Sequence, residues 1–112
     1  MNHARWKLAR DRRTTEGYVE SPEATARRAE IDLAIDLGQV IYDRRTEIGL
    51  SQAALAERAE MTQPQISKIE GGGTVPTLPL LARLTKALDA SLNIAIDNGR
   101  STFTITSHTD AA

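Results

Sequence analysis

The chain has 112 residues, 40% of them hydrophobic and 26% charged, with no cysteine and a formal net charge of −1. That length admits one domain and an arm, and that balance is globular and not that of a disordered polymer. The missing thiols exclude a disulfide framework and any cysteine-bearing zinc site. No apolar run approaches the ~18 residues of a membrane span, and residues 1–13 lack the apolar stretch of a signal peptide. A cytoplasmic protein fits these features best.

A near-neutral total argues at first against nucleic acid, but the charges are unevenly spread. Residues 1–20 carry five basic and three acidic side chains, and residues 44–86 carry six against four. Both segments are masked by acidic neighbours, two against five over residues 21–43 and one against three over residues 87–112. DNA binding is compatible with this pattern; a large nonspecific electrostatic affinity is not.

Residues 1–20 have no clean period and read as a basic arm: a solvated tail that partly folds on the first helix, a minor-groove arm or a segment that folds on a protein partner. A helical domain follows over residues 21–90. Ser21-Pro22-Glu23 starts a helix, with a Ser cap, Pro in the first turn and an acid beside it. The pattern runs to Ile48 with Leu33, Leu37, Val40, Ile41 and Ile48 on one face, and Gly49 is a natural stop. Gly38 weakens the middle by about 1 kcal/mol relative to Ala, so one helix or two both fit.

Three short helices come next, capped by Ser51, Thr62 and Thr77. They carry Leu55, Ala56 and Ala59, then Ile66 and Ile69, then Leu78, Leu81, Leu84 and Leu88. Over residues 91–107 the period changes from 3.6 to 2, around an Asn98-Gly99 pair that suits a type I′ turn. A two-residue loop pairs Ile94 with Phe103 and Leu92 with Ile105, which puts the large apolar residues on one face. The predicted fold class is mainly α, a five-helix domain with a C-terminal β-hairpin.

Residues 51–70 read as a helix-turn-helix. Leu55, Ile66 and Ile69 point inward, Ala56 permits a close crossing and Met61 fills the turn. Pro64, Ser67 and Lys68 lie opposite the buried isoleucines, with Gln63 at the exposed tip. This leaves a short polar face of major-groove width. The caps at Ser51 and Thr62 leave backbone donors free for phosphate.

The text Arg45-x5-Ser51-Gln52-x2-Leu55-Ala56-x5-Thr62-Gln63-x2-Ile66-Ser67-x2-Glu70-x-Gly72 resembles the Xre-type family of phage repressors and bacterial regulators. The resemblance covers about Asp36 to Leu88. It implies that Gln52 anchors a phosphate; Ser51, Thr62, Gln65 and Thr74 are the other candidate phosphate contacts. It implies that Gln63, Pro64 and Lys68, joined by Ser67, approach base edges of double-stranded DNA. It also implies an internal salt bridge between Arg45 and Glu70. The chain departs from the family at two places. Glu60 stands where the family often has Gly, at a cost of about 1–2 kcal/mol if left-handed. Gly73 stands where a basic residue often grips phosphate.

No nucleophile–base pair, metal-spaced cluster or phosphate loop is evident, so neither enzyme chemistry nor a metal or cofactor is expected. Leu92, Ile94, Phe103 and Ile105 could simply cover the helices, but an isolated hairpin is marginal and has exposed edges, so with Ile96 they are expected to join two copies into a homodimer on a palindromic operator. The tail Leu-Asn-Ile-Ala-Ile-Asp-Asn-Gly-x3-Phe-Thr-Ile is similar to that of HigA-type antitoxins, which repress their own operon and neutralise a ribonuclease toxin. That resemblance implies a toxin contact through residues 1–30 and the first helix, with Trp6 and Tyr18 as anchors. A stand-alone regulator of the Xre type is the alternative.

Overall fold

The computed structural model describes residues 21–108. The basic arm 1–20, with Trp6 and Tyr18, lies outside them. Helix α1 runs Pro22–Glu47. Its start is fixed locally, for Ser21 Oγ accepts from the Ala24 amide at 3.1 Å and Pro22 needs no donor there. It ends at Ile48, and Gly49 follows with φ +77°.

Among the described residues there are four helices and not the expected five, because Pro22–Glu47 is continuous through Gly38. Gly38 is a contact and not a break. A Cβ there would lie 2.4 Å from the Ile69 carbonyl oxygen and 2.7 Å from that of Glu70. The missing side chain lets the end of another helix touch α1 backbone to backbone.

Helices α2 (Gln52–Ala59), α3 (Gln63–Glu70) and α4 (Leu78–Ala87) follow, each with a hydroxyl cap that accepts an amide three residues on. Leu37, Ile41, Leu55, Ile66, Leu84 and Leu88 are fully buried and form one core with Ala56, Ala59, Ile69, Leu81 and Ala87. Leu78 does not join it and is 73% exposed. As the first residue of α4 it precedes the turn that packs on α2, so the apolar stripe begins at Leu81.

Strands β1 (Ala90–Asp97) and β2 (Arg100–Ser107) form an antiparallel hairpin. Ile94 opposes Phe103 and Leu92 opposes Ile105, as the alternation predicts. Asn98 (φ 52°) and Gly99 (φ +77°) both adopt the positive φ that a type I′ turn demands. Leu92, Phe103 and Ile105 pack against the core.

The root of the hairpin is held by a residue that the apolar pattern hides. Arg44 is buried, and its Nε donates to the Leu88 carbonyl at 2.9 Å while Nη2 donates to that of Asp89 at 3.0 Å. Glu47 pairs with the same guanidinium at 3.3 Å. Asp89 has φ 50°, so the chain bends sharply between α4 and β1 at the point where Arg44 grips it.

Candidate nucleic-acid interface

Helices α2 and α3 meet through a tight turn at Glu60. The residue is left-handed, φ 55° and ψ 47°, as suspected from the Gly that it replaces. Its carbonyl accepts from Arg83 Nη2 at 2.9 Å, a bond that any residue at this position would keep. Glu60→Gly is therefore expected to stabilise the fold by about 1 kcal/mol through relief of the left-handed strain. Thermal unfolding checks this, and a melting temperature no higher than wild type would count against strain at the turn.

The start of α3 is a capping box. The Thr62 amide donates to Gln65 Oε1 at 2.8 Å, and Thr62 Oγ1 accepts from the Gln65 amide at 3.3 Å. The Gln65 carbonyl is thus engaged at the helix start, and only its amide NH2 is available to a phosphate. Ser51 Oγ accepts from the Ala54 amide at 3.0 Å, and its hydroxyl can still donate. Thr74 is half-buried in the loop after α3.

Gln63, Pro64, Ser67 and Lys68 are all exposed, while Ile66 and Ile69 between them are buried. The face is polar because the helix period separates it from the core stripe. Gly73 explains itself here. Its amide donates to the Lys68 carbonyl at 2.8 Å, and a Cβ at 73 would lie 2.9 Å from Lys68 Cγ. A phosphate-gripping side chain at 73 would collide with the stem of Lys68.

Behind this face lies an ion pair. Arg45 Nε and Nη2 donate to the two Glu70 carboxylate oxygens at 2.6 and 2.9 Å, a bidentate fork, and both residues are buried. Nη1 donates to the Leu50 carbonyl at 2.7 Å, and the Tyr42 ring centroid is 5.3 Å from the guanidinium. Hydrogen bonding to Glu70 holds the Arg45 pKa above its ordinary value, against the lowering effect of burial.

The fork continues outward in a way that the sequence does not announce. Gln52 Nε2 donates to Glu70 Oε1 at 3.0 Å, and Gln63 Nε2 donates to Gln52 Oε1 at 3.4 Å. Arg45, Glu70, Gln52 and Gln63 thus form a chain from the core to the tip of α3. Nothing in the residue types pairs Gln52 with Gln63. The signal that joins them is positional, since each is the first residue of its helix.

Residues 41–94 match the helix-turn-helix family. This chain carries a helix-turn-helix domain. The match runs from the last turns of α1 into β1 and so contains the Arg45–Glu70 fork and the whole of α3. No curated protein matches the chain. The helix-turn-helix match points toward DNA binding and transcriptional regulation. No helix among the described residues is long and apolar enough to cross a membrane, and no group of metal-binding side chains occurs among them.

Proposed function

We propose that the chain is a sequence-specific repressor that reads double-stranded DNA with Gln63, Pro64, Ser67 and Lys68. It acts in the cytoplasm as a homodimer on a palindromic operator. The observation that carries the reading is the Gln52–Gln63 contact. An amide NH2 has two protons and its carbonyl two lone pairs. With one proton on Gln52, the Gln63 amide still offers one N–H and its whole carbonyl, the donor–acceptor pair that adenine matches in the major groove. Gln52 likewise keeps one N–H for a phosphate. Lys68 can donate to guanine, and Pro64 can touch a thymine methyl.

Gln63→Ala and Lys68→Ala are each expected to weaken specific operator binding by about 1–3 kcal/mol while leaving nonspecific binding nearly unchanged. A gel-shift series at fixed salt measures this. Wild-type operator affinity in both variants would refute the reading.

The finer proposal is a HigA-type antitoxin that represses its own operon and binds a ribonuclease toxin through residues 1–30 and α1. Two features support it. One is the tail from Leu92 to Ile105, whose resemblance is given above. The other is α1, which has no buried residue from Pro22 to Leu33 and exposes Ile31. This stretch lies alongside the hairpin without joining the core, which leaves Ile31 open to a partner. Co-purification with the product of the neighbouring reading frame tests it. A complex that requires residues 1–30 selects the antitoxin; no complex leaves a stand-alone regulator.

A further inference from the structure

The hairpin is sheltered on one strand and bare on the other. Along β2 the residues Ser101, Phe103, Ile105 and Ser107 are half-buried, alternating with exposed ones, because α1 packs along this strand. Along β1 the shelter ends at Leu92. Every residue from Asn93 to Asp97 is exposed, with Ile94 at 40% and Ile96 at 74%.

Free hydrogen-bonding groups lie on this strand, as they do on the outer edge of β2, where α1 packs. The His108 amide donates to the Asp89 carbonyl at 3.0 Å, so this pair is a hydrogen-bonded one. Antiparallel rungs alternate, which makes Ser91–Thr106, Asn93–Thr104, Ala95–Thr102 and Asp97–Arg100 the bonded pairs of the register. The backbone N–H and C=O groups of Leu92, Ile94 and Ile96 therefore point away from β2. No other strand among the described residues pairs with that edge. An apolar stripe and a row of open backbone groups coincide there.

We infer that a second copy of this chain adds along the β1 edge, antiparallel, with Ile94 against the partner's Ile94. The inference rests on the dimer reading above and adds to it the edge and the register. In this register Leu92 meets the partner's Ile96 and the reverse, so the whole apolar stripe of both copies is covered. Asp97 meets the partner's Ser91, whose hydroxyl lies 2.7 Å from the imidazole Nε2 of its own His108. Each carboxylate thus faces a hydroxyl–imidazole pair. The neighbouring register on one side, Leu92 against the partner's Ile94, would leave Ile96 opposite the partner's Ala90 and carry Asp97 past the start of the partner strand. The register on the other side, Ile94 against the partner's Ile96, would run Leu92 past the end of the partner strand. Apolar cover and strand overlap select the same alignment.

The chain has no cysteine, so Ile94→Cys gives it a single thiol. Paired Cα atoms across a hydrogen-bonded rung lie about 5.5 Å apart, within disulfide range. Under mild oxidation the full-length Ile94→Cys protein is expected to become a disulfide dimer about tenfold or more faster than Thr104→Cys on the polar face of β2, because pairing raises the effective thiol concentration. Sedimentation of the wild-type protein, free and on operator, is the companion measurement. Equal cross-linking of the two variants overturns the inference. So does slow cross-linking at position 94 in a protein that sediments as a dimer, which leaves the dimer reading intact on another surface. A wild-type protein that is monomeric both free and on operator overturns the inference and the dimer reading together.

Discussion

Arg45→Leu is expected to destabilise the protein by about 3–5 kcal/mol, because it leaves the Glu70 carboxylate buried without its partner. For a domain of this size that is a large share of a total of about 5–15 kcal/mol. The Leu50 carbonyl loses its donor as well. Urea titration followed by circular dichroism measures the loss, and a midpoint within the error of wild type would show that the fork carries no stability. Arg45→Leu combined with Glu70→Leu separates fold from function. Removing both charges is expected to restore most of the stability. Operator affinity is expected to stay low, since Gln52 has lost the acceptor that orients it and Gln63 leans on Gln52.

Gly38→Ala is the second large effect, and its sign opposes the intuition from helix propensity. In an open helix the change would stabilise by about 1 kcal/mol. Here the new methyl would lie 2.4 and 2.7 Å from two carbonyl oxygens of α3. Both belong to backbone, so no rotamer change can relieve the contact, and α1 and α3 must separate. A net loss of about 2–3 kcal/mol is expected, with a fall in melting temperature of roughly 4–8 °C for each kcal/mol. Operator binding should fall with it, because the displaced residues include Glu70, which holds Gln52. A melting temperature at or above wild type would mean that the two helices have room to spare.

Local signals were the legible part of this fold. Ser21, Ser51, Thr62 and Thr77 cap helices because a hydroxyl and a few following amides suffice, and all four lie within three residues of their partners. The hairpin register was legible because the Asn98-Gly99 turn fixes it without reference to the rest of the chain. Whatever depends on distant backbone was hidden. Gly38 reads as a weak point in a helix until Ile69 and Glu70 are seen against it. Arg44 hydrogen-bonds a carbonyl 44 residues away, although its spacing from Leu37 and Ile41 places it on the apolar stripe and could have raised the question. The exposure of Leu78 follows from where α4 begins relative to α2, which no apolar period records. At the interface, the polar face of α3 follows from the 3.6-residue period, whereas the link from Gln63 through Gln52 to Glu70 depends on how two helices cross.

Arg44 and Arg45 are consecutive residues with opposite duties. One grips the root of the hairpin, and the other secures the far end of α3. Only Asp89 separates the cap of α4 from the first residue of β1, so there is no tether to pay out between the two ends. In a dimer joined through the hairpin, the span between the two reading helices would be a fixed gauge, passing through one short stretch of α1 in each copy. Inserting one base pair between half-sites turns one of them by about a tenth of a helical revolution. A protein with no slack must then twist the DNA to fit. Such a protein measures the length of its operator as well as reading its letters.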